Sequence, residues 1–335
     1  MTERIRVGVV GVGAIAQVAH LPALAGREDV AIAAVCDNDV SKARALASRF
    51  DVHDVYDDIE DLLRYTRPDA VVICTPNHLH EIHVETALSA GAAVLCERPL
   101  ALHAEGVERI REVARRAGRP VMVGMNHRYR SDVQAVRAFV TSGELGALRG
   151  IRTGWYMFRT SRAELGWRQR RQQSGGGAML DLGLSLVDLG LWLAGCPEEM
   201  QVTAAFGQQE GARVEDSACA LITCGGGLSI FVDVAWRYVG DAERFWLDVM
   251  GEKGSARIAP LRVFKELHGA AMNVTPTGAA SRENLFSASY RAEWARFLAM
   301  VRGEVEPPTL DDQVALHRTL DAIYRSAREG HAVDV

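Results

Sequence analysis

Residues 5–24 read "IRVGVVGVGAIAQVAHLPAL". A β-branched run, Ile5 to Val10, turns through Gly11-Val12-Gly13-Ala14-Ile15-Ala16 into a helical pattern. G-x-G-x-x-A between a strand and a helix is the context that a dinucleotide fingerprint requires. Gly11 permits the tight turn, and Gly13 lets the backbone approach a pyrophosphate. Ala16 keeps the helix close to the sheet, and the helix N-terminus faces the anion. The backbone of Gly11, Val12, Gly13, Ala14 and Ile15 is therefore a candidate cofactor cradle. The next strand, "VAIAAVCD" (30–37), ends at Asp37, about 20 residues beyond the fingerprint, where a carboxylate accepts both ribose hydroxyls. It would repel a 2′-phosphate, which favours NAD, while nearby Lys42 keeps NADP possible. Asp37 can also cap the following helix, and the two roles are compatible.

Working outward, apolar strands alternate with amphipathic helices. Helices are expected at 41–49, 58–65, 80–90 and 103–117, with strands near 52–55 and at 69–75, 92–97 and 120–125. Such alternation implies a parallel, doubly wound sheet, with ligands beyond the carboxyl ends of its strands. Asp37, Thr75, Pro76, Asn77, His78, Glu97, Arg98 and Asn126 all fall at such ends. From about 147 the pattern changes to long alternating strands ("ALRGIRTGWYMFR", "MQVTAAFG", "DSACALITC", "GLSIFVDVAWR", "RFWLDVMG") with tight glycine turns. That reads as an open, mainly antiparallel sheet with helices on one face. Trp155, Phe231 and Trp246 are expected on the other face. The fold class is α/β, with a Rossmann domain over 1–124 and a second α/β domain over 125–335. The last helices (290–302 and 311–328) are expected to pack back on both domains. Segment 265–289 reads as a mobile loop near the site.

The chain has 335 residues, a net charge of −5, 48% hydrophobic and 24% charged residues, the balance of a soluble globular protein. An acidic balance argues against nucleic acid as a partner. The densest basic run, "RQRRQ" (168–172), is either a solvated face or a small anion clamp. No apolar stretch is expected to reach the roughly 20 residues of a membrane span, and "MTERIRVGVV" does not read as a signal peptide. The six cysteines contain no C-x-x-C pair and read as buried free thiols, without metal. A cytoplasmic location follows. Lys42, Lys253 and Lys265 are the only lysines, a bias that points to a GC-rich genome in which lysine drifts to arginine.

Five segments together resemble the Gfo/Idh/MocA oxidoreductases, whose namesakes include glucose–fructose oxidoreductase and inositol dehydrogenase. They are "GVGAIA" (11–16), "CTPNHLH" (74–80), "CERPL" (96–100), "GGGAMLDLGLSLVD" (175–188) and "DDQVALHRTLDAIYRSAREG" (311–330). The resemblance runs the length of the chain. It implies nicotinamide chemistry on sugars, polyols, sugar acids or related small molecules, and a homodimer or homotetramer paired through the second domain's sheet. It also implies that Thr75, Pro76, Asn77 and His80 line the ribose and nicotinamide side, and that Glu97 holds the nicotinamide ribose.

Two positions depart from the family pattern. Arg98 stands where the family has lysine, and Ser185 stands where Asp-x-Gly-x-His-x-x-Asp has histidine. Alcohol oxidation needs an acceptor for the hydroxyl proton with a pKa near the working pH. An arginine stays protonated, and a serine without a partner is a poor base. An arginine fork can instead grip a carboxylate or a developing oxyanion. The catalytic candidates are Arg98, Asp181 and Ser185. Substrate contacts would come from the same three with His127, Tyr129 and Trp167. Asp181, buried beside Arg98, would orient a substrate hydroxyl. Asp181, Ser185, Asp188 and Trp192 share one helix face, which lines the site or faces solvent. His127 contributes to the site or lies on the surface. Tyr129 and Tyr156 are proton donors or packing aromatics. A family member that only binds cofactor and ligand, as a sensor or regulator, is the alternative.

Overall fold

The computed structural model describes residues 4–158, 166–208, 211–276 and 283–335. They divide into two compact units, Met1–Tyr129 with Phe286–Gln313, and Arg130–Leu285 with Val314–Val335.

The first unit contains six parallel strands: β1 (Ile5–Val10), β2 (Val30–Cys36), β3 (Asp54–Tyr56), β4 (Ala70–Ile73), β5 (Ala93–Glu97) and β6 (Val121–Gly124). Their spatial order is β3-β2-β1-β4-β5-β6, all parallel. The direction of winding reverses between β1 and β4, which opens a crevice at their carboxyl ends. Val7, Val9, Val71, Val72, Val94 and Leu95 are fully buried, as strands covered on both faces must be. The core over one face takes Leu21, Leu24 and Leu46, and also Trp294, Phe297 and Leu298 from the late helix Leu285–Val301. Chain from nearly 200 residues downstream of β5 thus completes this unit.

The second unit holds a nine-stranded sheet. Its strands are β7 (Leu148–Phe158), β8 (Met200–Gly207), β9 (Ser217–Cys224), β10 (Ser229–Tyr238), β11 (Arg244–Gly251), β12 (Gly254–Ile258), β13 (Arg262–Leu267), β14 (Ala270–Asn273) and β15 (Val333–Asp334). The order is β14-β13-β12-β11-β7-β10-β9-β8-β15, antiparallel except for β7 and β10. Both sheets match the expected fold class.

Three expectations are corrected. Segment 265–289 is not one loop: β13 and β14 pair across His268–Gly269, both with positive φ, and Leu285 starts a helix. A two-residue turn of that kind suits a tight hairpin; residues 277–282 lie outside the described residues, as does Arg159 at the end of the expected first long strand. Trp155 is not on the open face. Register places it in line with Ile151, Thr153, Val232 and Leu247, which are buried, whereas Phe231 and Trp246 point the other way. On that open face Trp246 lies over Gly154, where a Cβ would come within 2.1 Å of the indole, and Arg244 stacks on Tyr156, Tyr238 and Trp246. Finally, one segment, Arg171–Ala194, is long and apolar enough to cross a membrane. Its most apolar 18-residue window is 83% buried within the protein, as the core of a folded domain is.

Candidate active site

Gly11 has φ +88°, and a Cβ there would lie 2.7 Å from the Cys74 carbonyl carbon. The turn therefore requires glycine, both for its backbone angle and for the close approach of the β4 end. At Gly13 the nearest such atom, Cys74 O, is 4.0 Å away. No protein atom demands glycine at 13, so the open space above that backbone fits a pyrophosphate. The helix that follows contains a π-helical turn, Ala16–His20, before Leu21–Ala25. The extra residue in this turn re-aims side chains, and His20 points inward, fully buried.

Asp37 is tied to the fingerprint: its Oδ2 accepts the Val12 N–H (2.8 Å) and its Oδ1 the Asp39 N–H (3.0 Å). The cap of the following helix is Asp39, which accepts from Lys42 N. Asp37 does not cap that helix, and a carboxylate has lone pairs beyond these two bonds. Lys42 Nζ lies 3.8 Å from its Oδ2.

The loops after β4 and β5 are held together by His80. Its ring is buried, with Nε2 2.7 Å from Thr75 O and Nδ1 2.6 Å from Pro99 O. Burial pulls its pKa down, against the pull of these two carbonyls. Both carbonyls only accept, so the uncharged ring donates to one at a time. His80 braces the two loops. Thr75 Oγ1 pairs with His83 Nδ1 (3.1 Å), Pro76 is half-buried, and Asn77 is buried at the start of a short 3-10 turn. Arg98 is half-buried, and its peptide bond to Pro99 is cis.

Glu97 ends β5 as a buried carboxylate. Its Oε1 meets His20 Nε2 at 2.8 Å and accepts from Tyr290 OH at 3.3 Å. The first distance is that of an ion pair. Trp294 Nε1, however, donates to His20 Nδ1 at 3.1 Å, and an indole nitrogen can only donate. The ring proton is therefore assigned to Nε2, and the contact is a hydrogen bond to a carboxylate. Burial pushes Glu97 up, but the His20 bond and the Arg98 charge outweigh it and hold Glu97 below the usual range. Glu293, on the same helix as Tyr290, is wholly buried, and neither carboxyl oxygen has a hydrogen-bond partner. Burial, reinforced by the Glu97 charge and opposed by Arg98, drives its pKa well up.

Asn126 is buried and donates to Ser289 Oγ (3.2 Å). His127 is buried too, so the surface reading does not hold. Tyr129 packs on the first unit's core with its hydroxyl 3.7 Å from Met122 Sδ. A cavity of about 750 Å3 lined by Arg111, Arg119, Pro120 and Asp311 opens at the opposite, amino-terminal end of β6, away from this chemistry.

In the second unit, Asp181 lies in a π-helical turn, Met179–Gly183, that leads into the helix Leu184–Ala194. Asp181 is half-buried rather than buried. Its Oδ2 accepts from Trp236 Nε1 (2.9 Å) and its Oδ1 from Arg168 Nε (3.2 Å). Arg168, from the basic run, stacks on Trp167. Of the run, Arg168 meets this carboxylate, while Arg170 and Arg171 are exposed. Ser185 and Asp188 are 3% and 2% exposed, so the polar stripe does not face solvent. Ser185 Oγ has no hydrogen-bond partner. Tyr156 is on the other face of the sheet, bonded to Asp233, and burial with that carboxylate pushes it up to about 12. It does not join Asp181.

Sequence reading missed Glu215. Its Oε1 accepts from Gly177 N (2.8 Å), Met179 N (3.2 Å) and Tyr324 OH (2.6 Å), anchoring the start of the helix that carries Asp181. A Cβ on Gly177 would come within 1.9 Å of Glu215 O.

The Gfo/Idh/MocA model, described as an oxidoreductase family with an NAD-binding Rossmann fold, matches residues 5–125. The model of the family's C-terminal domain matches residues 133–257. The chain belongs to this family and is an NAD(P)-dependent oxidoreductase with an NAD-binding Rossmann fold. It is 27% identical to D-glucoside 3-dehydrogenase of Escherichia coli (strain K12), over 99% of this chain and 97% of that one. It is also 27% identical to D-xylose 1-dehydrogenase (NADP(+)) 2 of Haloferax volcanii, over 98% and 99%. Among solved structures, GenD2 from gentamicin A biosynthesis in complex with NAD matches with TM-score 0.86 and 27% identity, over 100% and 97%.

Two expectations follow for the buried carboxyls. Replacing Glu215 with Ala strands three donors, each costing about 1–3 kcal/mol, so urea unfolding should show a loss of about 3 kcal/mol or more; an unchanged midpoint would show that these donors find other partners. Glu293 has a folded pKa above its unfolded value of 4.5. Its contribution to stability is complete below that value and falls as pH rises toward the folded pKa, by up to about 1.4 kcal/mol per unit. Glu293→Gln removes this slope, so the variant should gain on the parent as pH rises above the ordinary carboxyl range in parallel denaturation curves.

Proposed function

We propose that the protein transfers hydride between NAD and a hydroxyl-bearing or carbonyl carbon of a sugar, polyol or sugar acid, through an altered centre of Arg98, Asp181 and Ser185. Bound nicotinamide supplies the hydride acceptor or donor. The fingerprint backbone from Gly11 to Ile15 would hold the pyrophosphate, and Asp37 the adenosine ribose. Thr75, Pro76, Asn77, Glu97, Arg98 and Asn126 would line the nicotinamide end, with His80 bracing it. Arg98 grips an anionic or oxyanionic group, and Asp181, already oriented by Arg168 and Trp236, receives a substrate hydroxyl. His127, Tyr129 and Trp167 are further substrate-side candidates. The carrying observation is Ser185 Oγ, buried and without a hydrogen-bond partner among the described residues. A serine so placed has no base to activate it, so proton transfer in the family manner is not its role.

That observation also favours a second reading, a cofactor- and ligand-binding sensor. A screen for NADH formation separates the two. D-glucosides and D-xylose come first, because relatives are named for them, then polyols and sugar acids. Turnover supports the enzyme reading, whereas ligand-dependent NAD binding without turnover supports the sensor. The open face of the second sheet, with Leu221 and Met250 exposed beside Phe231 and Trp246, is where a homodimer or homotetramer would pair.

Asp37→Ala should weaken NAD binding tenfold or more and narrow the gap to NADP, since the variant loses two ribose acceptors and a repelling charge; calorimetric titration of both cofactors reads this. An unchanged preference would remove Asp37 from the cofactor edge.

The double change Arg98→Lys with Ser185→His should create or raise polyol dehydrogenase activity, each single change doing much less, because donor and base act as one unit. The histidine supplies a base with an ordinary pKa near ~6.5. Native turnover untouched by both changes would place the chemistry elsewhere.

A further inference from the structure

The carboxyl of Glu293 is the least expected group in the first unit. It lies on the helix Leu285–Val301 among Tyr290, Trp294 and Phe297, is 0% exposed, and among the described residues has no hydrogen bond to either oxygen. A polar group buried so costs several kcal/mol, and an apolar side chain would fill the space without that cost. Its electrostatic neighbours are Glu97 and Arg98 at the end of β5. Cys74, just beyond β4, and Tyr290, on its own helix, feel its charge in turn.

We propose that Glu293 is a redox-linked proton site: it releases its proton when NAD+ occupies the Glu97–Arg98 end of the crevice and takes one up when the cofactor becomes NADH. This rests on the placement of the nicotinamide given under the proposed function. Oxidised nicotinamide carries a positive charge and reduced nicotinamide carries none. A cation arriving beside a buried carboxyl favours its ionised form, and loss of that charge favours the acid.

The other groups facing Glu293 do not exchange protons in the working range. Burial holds the Cys74 thiol and the Tyr290 phenol far above their ordinary values. Glu97 stays ionised, with His20 donating to it. His80, charge-coupled to Glu97, is pulled down by burial. Of the two buried carboxyls, Glu97 is hydrogen-bonded and Glu293 is not, which leaves Glu293 as the exchanging acid.

The reaction balances on this basis. As the substrate C–H bond breaks, its electron pair leaves with hydrogen as hydride to the nicotinamide ring. The C–O bond becomes a carbonyl, and the hydroxyl proton is matched by one taken up at the Glu293 carboxylate. Nothing here requires Glu293 to touch substrate; it acts by holding and giving up a proton.

The test is calorimetric titration of the full chain with NAD+ and, separately, with NADH, in two buffers of different ionisation enthalpy. A downward shift of one unit centred on the working pH releases about half a proton. NAD+ binding should therefore release up to about half a proton per site at the pH of maximal effect, and NADH binding none. Glu293→Gln should bind both forms and lose the release. Infrared difference spectra of the unaltered protein should show the carbonyl band of a protonated carboxylic acid with NADH and a weaker one with NAD+. Equal proton counts for the two forms, or release that persists in Glu293→Gln, would overturn the proposal. Failure of either cofactor to bind is a different result: it would overturn the cofactor site itself, and this inference with it.

Discussion

A carboxylate taken out of water must find its hydrogen bonds inside the protein, and in the first unit that carboxylate is Glu97. Its partners come from far apart in the chain. His20 reaches it from the π-helical turn behind the glycine fingerprint, and Tyr290 from the helix Leu285–Val301. Trp294 then fixes the His20 ring from behind. One buried charge thereby ties the fingerprint turn, the end of β5 and the late helix into one assembly. Removing any of the three would strand a polar group at a cost comparable to a large share of a domain's stability. Arg98 follows Glu97 directly, so its position is set by the same network.

The second unit uses a related device with a different donor set. Glu215 is buried like Glu97 but takes two of its bonds from backbone N–H groups at the start of a helix. Burial drives it up, while the Tyr324 hydroxyl and those N–H groups pull the other way. A carboxyl at a helix N-terminus also meets the favourable end of the helix dipole. What it stabilises is the approach to Asp181, whose own two oxygens are each claimed by a separate donor. Asp181 is thus oriented before any substrate arrives, and binding need not supply that ordering.

The parallel sheet was legible because buried strands and amphipathic helices differ in period, and the strand–turn–helix setting of Gly11 and Gly13 fixed where to look. The position of Asp37 just past the end of β2 is legible for the same reason, whereas the helix cap falls to Asp39. The long strands of the second sheet were legible through alternation, while short β12, β14 and β15 carry too few residues to show a period. Trp155 was assigned to the wrong face because its aromatic character was weighed above its position in the alternation. The partners of the site were hidden by distance along the chain. Glu215 acts on Gly177, Trp236 on Asp181 and Tyr290 on Glu97, and no local pattern connects them. Glu293 did leave a trace, an acidic residue set among Tyr290, Trp294 and Phe297 in an otherwise apolar stripe.

The discontinuous first unit has a consequence for how the protein comes into being. Its strands are complete by Gly124, yet Tyr290 and Trp294 belong to a segment made only after the whole middle of the chain. At ordinary rates of synthesis that gap of roughly 150 residues lasts on the order of ten to thirty seconds. Throughout it, the nascent sheet carries Glu97 and His20 without two of their partners, and an apolar surface that Trp294 and Phe297 have yet to cover. The fingerprint can be made early, but the nucleotide edge it belongs to matures late, when the last fifth of the polypeptide emerges from the ribosome.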